Sequence, residues 1–291
     1  MRSADLLLAG LAPVIWGTTY LVTTQWLPQG YPLTTSLIRA LPAGLLLLAF
    51  VRELPRGIWI PRVFILGGLN FSIFWSLLFV SAYRLPGGMA ATLNALQPLF
   101  VIVLSRTLLA APMRWPAVAA TLGGVLGVAL LVIRPNAALD AIGIAAGLGG
   151  ALAMALGTVL AKRWQPPVSA LAFTAWQLVA GGVLLAPVAL TMEPRLPWPT
   201  FDNLAGFVWL GLFGAALSYL LWFRGLARLG PQAVSPLVLM SPLTAVLLGW
   251  FVVDETFTRV QLAGIALVLL SVWGSQRGLK PRTGDSSGSR G

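Results

Sequence analysis

Charged side chains are scarce in this sequence. They make up 9% of its 291 residues, against 58% hydrophobic residues, whereas a soluble domain carries about 25% charged residues. So few charges cannot cover a surface that faces water, which excludes a soluble globular fold. One apolar helix needs roughly 20 residues to cross about 30 Å of hydrocarbon. The chain therefore has room for about ten such helices joined by short loops.

Cysteine and histidine are absent altogether. The lack of cysteine excludes disulfides, thiol catalysis and cysteine metal sites. The lack of histidine removes the commonest proton carrier and metal ligand. No GxxxxGK[ST] phosphate loop occurs either, which argues against ATP hydrolysis. We therefore predict no cofactor, no metal and no enzymatic activity. A membrane receptor or scaffold remains the alternative that does not transport.

Acidic residues number only eight, and none lies deep within a predicted span. Proton-driven pumps commonly use a buried Asp, Glu or His, so this distribution argues against a carboxylate proton relay. Coupling through a titrating substrate and uniport down a gradient both stay open. The acids are Asp5, Glu53, Asp140, Glu193, Asp202, Asp254, Glu255 and Asp285.

Basic residues follow a pattern along ten predicted spans. Of the nineteen, Arg39 lies inside a span, and Arg84, Arg134, Arg195 and Arg259 lie in loops on one side. The other fourteen share the opposite side, which the positive-inside rule assigns to the cytoplasm. We therefore expect both termini in the cytoplasm and a multi-pass protein of the cell inner (plasma) membrane. The net charge of +11 is interpreted as this topology signal, so no nucleic-acid partner is expected. The spans are 4–26, 31–51, 60–82, 88–108, 113–133, 139–161, 167–191, 203–224, 230–252 and 257–275.

The two halves of the sequence resemble each other. AYRLPGGMAATLNALQPL at 82–99 aligns with LARLGPQAVSPLVLMSPL at 226–243 at a constant offset of 144 residues. Five helices per half is an odd number, so the halves must enter the membrane in opposite orientations. The predicted fold class is thus all-α, with ten transmembrane helices as two inverted five-helix repeats over 1–135 and 138–276. The repeat predicts a substrate site near the midplane between the halves. A disordered basic cytoplasmic tail is expected at 277–291.

Arg39 is the one basic residue that lies several turns from either end of a predicted span. Insertion scales put the cost of such a charge at about 2.5–3.5 kcal/mol, so it should face the bundle interior. It could bind a carboxylate or another anionic group of a substrate. Alternatively it ties helices together through backbone carbonyls. At the equivalent place in the second half, where Arg39 to Gly44 resembles Gln177 to Gly182, stands the neutral Gln177.

Further candidates for a substrate site are polar and aromatic side chains within the spans. Asn94 and Gln97 are spaced i, i+3 and should share a helix face. Polar groups in membrane bundles often only join helices, and aromatic rings often face lipid, so those alternatives stand. Pro98 and Pro242 are predicted inside helices as a symmetric pair of hinges. The other candidates are Trp16, Tyr20, Asn70, Trp75, Trp176, Gln177, Tyr219, Trp222 and Ser241.

Several segments resemble the drug/metabolite transporter superfamily, and specifically its ten-helix EamA-type exporters. The resemblance covers nearly all of the chain and implies a two-repeat bundle with a central cavity that exports small metabolites. The opening segments are most similar to presumed pigment and amino-acid exporters. Glu255 matches the acid that family members carry at the end of the ninth helix, whereas its counterpart Ala111 departs from it. The segments are IWGTTYLV (15–22), RALPAGLLLL (39–48), SYLLWFRGLARLGP (218–231) and SPLTAVLLGWFVVDETFT (241–258).

These features together predict a secondary transporter that exports small metabolites by alternating access. The substrate would be amino-acid-like, or aromatic and amphipathic. A broad-specificity drug exporter or a bidirectional facilitator is the alternative within the same class. The expected partners are the small-molecule substrate and the lipid bilayer, and the protein is expected to be a monomer or a homodimer.

Overall fold

The computed structural model describes residues 2–84, 93–132, 140–253 and 258–278, and every regular element in these ranges is helical. The predicted all-α class is therefore confirmed. Glu255 and most of the predicted tail lie outside the described residues. The first half contains α1 (Arg2–Trp26), α2 (Pro32–Val51), α3 (Trp59–Gly67), the π-helical segment π1 (Gly68–Ile73), α4 (Phe74–Arg84), α5 (Gln97–Leu109) and α6 (Trp115–Val132).

The second half repeats this order of elements. Its third helix is again interrupted by a π-helical turn, and its fourth begins with a short irregular stretch. The elements are α7 (Ala141–Trp164), α8 (Ala170–Met192), α9 (Phe201–Gly211), the π-helical segment π2 (Leu212–Leu217), α10 (Ser218–Leu229), α11 (Pro231–Val234), the 3₁₀ segment Ser235–Leu239, α12 (Met240–Val253) and α13 (Arg259–Gly278).

Several helical stretches are long and apolar enough to cross a membrane. Three more apolar helices are shorter, and each of the ten predicted intervals contains helix among the described residues. A polytopic membrane protein is confirmed, while the count of ten spans stays a prediction. The long stretches are Ser3–Thr23, Pro32–Val51, Trp59–Ser81, Ala141–Trp164, Ala170–Met192 and Phe201–Leu229.

The two π-helical segments occupy equivalent places in the halves. π1 and π2 are each six residues long and start 144 residues apart, the offset of the sequence repeat. Each packs against the first two helices of the opposite half: π1 contacts α7 and α8, and π2 contacts α1 and α2. A π turn widens the helix locally and is frequent at functional sites.

Glycine allows the second helix of each half to cross its counterpart closely. A Cβ added at Gly44 of α2 would lie 2.7 Å from the Val179 backbone nitrogen of α8. One added at Gly182 of α8 would lie 2.7 Å from the Leu41 Cβ of α2. Small residues at such contacts let backbones approach and gain van der Waals energy without a hydrophobic driving force. The α2–α8 crossing thereby fixes the two halves against each other.

The prediction that both prolines lie in a helix interior is wrong for Pro98 alone. A turn at Ala95 and Leu96 precedes α5, and a 3₁₀ segment precedes α12. Pro98 therefore falls in the first turn of α5, where a missing N–H breaks no hydrogen bond. Pro242 lies inside the continuous helical run 231–253, just after its 3₁₀ segment, as predicted. Asn94 lies before the turn that ends at Leu96, so Asn94 and Gln97 do not share one face of a continuous helix.

Candidate functional site

Aromatic rings from both halves meet at the centre of the bundle. Tyr219 has ring centroids at 4.6 Å from Phe71, 4.9 Å from Trp16 and 6.4 Å from Trp75. Trp222 lies 5.1 Å from Trp16. Four of these five were predicted from the sequence, and Phe71 was missed. We call this set the aromatic cluster. Its rings provide an apolar surface on which aromatic groups can stack.

The position of the aromatic cluster follows from the repeat. Trp75 and Tyr219 are 144 residues apart and thus equivalent in the two halves. Two residues related by a two-fold axis can touch only beside that axis. Their contact therefore marks where the axis of the predicted repeat would pass. Transporters built from inverted repeats have their substrate sites at this interface.

Arg39 reaches the aromatic cluster from α2. Its Nη2 donates a hydrogen bond of 2.5 Å to the Gly214 carbonyl oxygen in π2, and its guanidinium carbon lies 4.8 Å from the centroid of the Trp75 ring. A Cβ added at Gly214 would lie 3.4 Å from Nη2, so glycine leaves room for the guanidinium. A backbone carbonyl and a ring face thus hold the cation, as the helix-joining alternative for Arg39 predicts.

A second path of hydrogen bonds reaches the same carbonyl. Trp16 Nε1 donates to Ser218 Oγ at 2.8 Å, and Ser218 Oγ donates to the Gly214 oxygen at 2.9 Å. Gly214 therefore accepts from Arg39 and from Ser218, which joins α1, α2 and π2. Sequence reasoning missed both Gly214 and Ser218, although Gly214 stands 144 residues after the candidate Asn70.

The repeat-equivalent contact in the other half is neutral. Asn70 Nδ2 of π1 donates to Gln177 Oε1 of α8 at 2.8 Å, and both side chains are fully buried. Asn70 corresponds to Gly214 and Gln177 to Arg39. The same two positions thus join the halves twice, once through two amides and once through a guanidinium and a backbone carbonyl.

Two further tryptophans differ in their surroundings. Trp222 is fully buried, and its Nε1 has no hydrogen-bond partner among the residues that the structure describes. Trp176 lies apart from the aromatic cluster: its Nε1 donates to the Glu53 carbonyl at 2.6 Å, and its ring is 6.5 Å from Trp59. Trp176 thereby holds the loop between α2 and α3. The Tyr20 side chain is not among those described.

The remaining polar candidates lie at the starts of α5 and α12. Gln97 is 3% exposed, and its Nε2 makes no hydrogen bond within the described part of the chain. Asn94 precedes it by one turn. Ser241 packs against α1, because a Cβ added at Gly17 would lie 2.6 Å from the Ser241 carbonyl oxygen. Gln97 and Ser241 are themselves repeat-equivalent at the offset of 144.

Similarity to known proteins identifies the family. The EamA-like transporter family matches residues 4–133 and 141–275. The chain belongs to the EamA-like transporter family. It is therefore a membrane transporter of the drug/metabolite transporter superfamily, and the receptor or scaffold alternative is not supported.

Relatives of this EamA-like transporter share most of its length. Protein PecM of Dickeya dadantii is 43% identical over 88% of this chain and 87% of PecM. The uncharacterized inner membrane transporter YedA of Escherichia coli is 26% identical over 89% of this chain and 86% of YedA. A crystal structure with 21% identity matches at a TM-score of 0.81, covering 95% of this chain and 99% of that one. This last likeness supports the fold alone.

Acidic residues of this EamA-like transporter fasten the ends of helices. The Glu193 carboxylate accepts from the backbone nitrogens of Leu33 at 2.6 Å and Thr34 at 2.7 Å, which caps α2. Asp5 of α1 pairs with Arg228 of α10 at 2.9 Å. Asp140 caps α7 through the Gly143 backbone N–H, and this hydrogen bond holds the pKa of the Asp140 carboxyl below its ordinary value.

Proposed function

We propose that this EamA-like transporter is a secondary transporter that exports small amino-acid-like or aromatic, amphipathic metabolites by alternating access. The observation that carries the proposal is the Arg39 guanidinium over the ring of Trp75, which in turn contacts Tyr219 where the two halves meet. A guanidinium suits a carboxylate through charge-assisted hydrogen bonds. Aromatic walls with a few placed polar groups suit a small organic molecule.

Substrate binding would exchange partners of Arg39. A carboxylate is a stronger acceptor than the neutral Gly214 carbonyl that Arg39 contacts at 2.5 Å. The Gly214 oxygen keeps the Ser218 hydroxyl as a donor when Arg39 leaves. The buried Trp222 Nε1 offers a further donor, because an indole N–H in such a place usually has a partner. Exchange would thus release the α2–π2 contact at little cost.

The two repeat-equivalent hydrogen bonds provide a basis for alternating access. Arg39 is the eighth residue of α2, which starts at the predicted outer surface, and Gln177 is the eighth of α8, which starts at the inner surface. At 1.5 Å per residue each lies roughly 12 Å from its own side. In this proposal the Arg39–Gly214 contact closes the outer side and the Asn70–Gln177 contact closes the inner side. Each opens in turn.

Counterflow in proteoliposomes tests this function. Arg39→Ala is expected to impair exchange of zwitterionic or anionic aromatic compounds and to affect cationic ones less. A broad drug exporter would lose neither class, and unchanged uptake of every compound would remove the binding role of Arg39. Equal rates in both directions under reversed gradients would favour the bidirectional facilitator.

The proposal also includes the topology and the assembly. Both termini lie in the cytoplasm, the protein belongs to the inner membrane, and the repeats 1–135 and 138–276 act as two inverted units in a monomer or homodimer. Labelling of single cysteines introduced into this cysteine-free chain measures the topology directly. Termini on opposite faces would contradict the inverted repeat.

A further inference from the structure

A cavity of about 310 Å³ lies away from the aromatic cluster, at the end of the bundle where most basic residues gather. The end of α5 and the loop that follows it form one wall. The end of α7 and the turn between α10 and α11 form the other. Among the described residues that line it, Arg114 and Lys162 are cationic and none is acidic.

The polar groups of this cavity suit an anion. Lys162 Nζ donates to the Ala227 carbonyl at 2.6 Å, which uses one of its three donor positions. Ser105 also lines the cavity; it is fully buried, and its Oγ has no hydrogen-bond partner among the described residues. A buried hydroxyl without a partner is uncommon, and rotation of the Ser105 side chain towards the cavity would let a ligand oxygen supply one.

Local contacts fix the shape of the cavity. Gln232 Nε2 donates to the Pro112 carbonyl at 3.4 Å and so fastens α11 to the loop after α5. The turn into α11 is made at Gly230, whose φ of +84° favours glycine. Leu109 and Leu229 add apolar lining beside the two cations. The walls thus combine positive charge with hydrocarbon, as the head and glycerol region of a phospholipid requires.

We propose that this cavity binds a phosphate group, carried by an anionic phospholipid or present as a free anion. Basic pockets between helices at the cytoplasmic surface recognise phosphorylated headgroups. Arg114 and Lys162 neutralise the charge, and the Ser105 hydroxyl donates to one phosphate oxygen. The site is independent of the transport pathway proposed above, since its lining shares no residue with the aromatic cluster.

Calorimetric titration of the full-length protein in detergent tests the site. The ligands are short-chain phosphatidylglycerol, short-chain phosphatidylcholine as the zwitterionic comparison, and inorganic phosphate. Lys162→Gln is expected to weaken binding about tenfold, the loss of one charge-assisted hydrogen bond. Ser105→Ala is expected to weaken it about threefold. Arg163→Gln is the matched control, because Arg163 is the exposed neighbour of Lys162 and does not line the cavity.

The outcomes separate the sources of the phosphate. Binding of phosphatidylglycerol alone identifies a lipid headgroup, whereas binding of inorganic phosphate with the same response to the variants identifies a free anion. Equal losses in Lys162→Gln and Arg163→Gln, with Ser105→Ala unchanged, would mean general surface attraction and overturn the proposal. Circular dichroism of each variant shows that the comparison is made on folded protein.

Discussion

An Arg39→Met substitution removes the cation from the α2–π2 contact and leaves an unbranched apolar side chain. The variant loses the hydrogen bond to Gly214, about 1.5–3 kcal/mol for a charged donor. It also loses the contact with the Trp75 face, about 0.5–2 kcal/mol. Against this, it no longer carries a charge in the membrane, which relieves about 2.5–3.5 kcal/mol.

These opposing contributions nearly cancel. The Gly214 oxygen still accepts from Ser218, so the substitution leaves no carbonyl without a partner. We expect the free energy of unfolding to change by no more than about 2.5 kcal/mol, while counterflow of carboxylated substrates is largely lost. Arg39→Lys keeps the positive charge but lacks the planar guanidinium that binds a carboxylate through two hydrogen bonds. It should retain part of the counterflow activity. A residue that stabilises little yet is required for transport acts on the substrate.

The assay pairs thermal unfolding in detergent with counterflow in proteoliposomes. Arg62→Met is the matched control, because Arg62 also lies over tryptophan rings, at 5.2 Å from Trp59 and 5.3 Å from Trp164, but near the start of α3. Its counterflow should stay normal. Strong destabilisation of Arg39→Met, or full transport by it, would refute the reasoning and leave Arg39 as a structural tie.

Three further outcomes are expected. Gly67→Ala places a Cβ 2.7 Å from a backbone nitrogen of α8 and should lower the free energy of unfolding by about 1–3 kcal/mol. Gly68→Ala meets only a leucine methyl at 3.4 Å and should cost far less; equal costs would contradict the close crossing. Asp140 stabilises the start of α7 above the ordinary pKa of its carboxyl, and this is lost as the pH falls through the lowered pKa, so amide exchange there should quicken in acid. Pro98→Ala combined with Pro242→Ala restores a backbone N–H at each position and should slow turnover without changing the half-saturating concentration; normal turnover would rule out a hinge.

Much of the fold was predictable from the apolar runs and the internal repeat of the sequence. Apolar runs predicted the helices, and the offset of 144 residues predicted that Trp75 and Tyr219 occupy equivalent places, which the structure shows in contact. Because Arg39 lies several turns from either end of its helix, it was predicted to have a polar partner inside the bundle. The partner itself was not predictable, because it is the backbone carbonyl of Gly214, and any residue type has one.

Local backbone irregularity explains the errors. A π turn has no compositional signature, so π1 and π2 could not be predicted from the sequence. Asn70 was therefore expected to lie on a regular α-helix. The turn at Ala95 and Leu96 interrupts an apolar run, and apolar residues alone do not predict such a turn. Pro98 therefore appeared to interrupt a helix that in fact begins beside it. Ser218 was missed because a lone serine in a span is ordinary.

The neutral Asn70–Gln177 pair and the cationic Arg39–Gly214 pair are not interchangeable. In a transporter with two identical inverted halves, the outward-facing and inward-facing conformations would be related by a two-fold rotation. They would therefore have equal free energies and equal populations. In this chain, the residue equivalent to the cationic Arg39 is the neutral Gln177, so the two halves differ by one positive charge. Under the proposed alternating access, the empty protein would therefore be biased towards one orientation, and the membrane potential, which acts on charge alone, would act on Arg39.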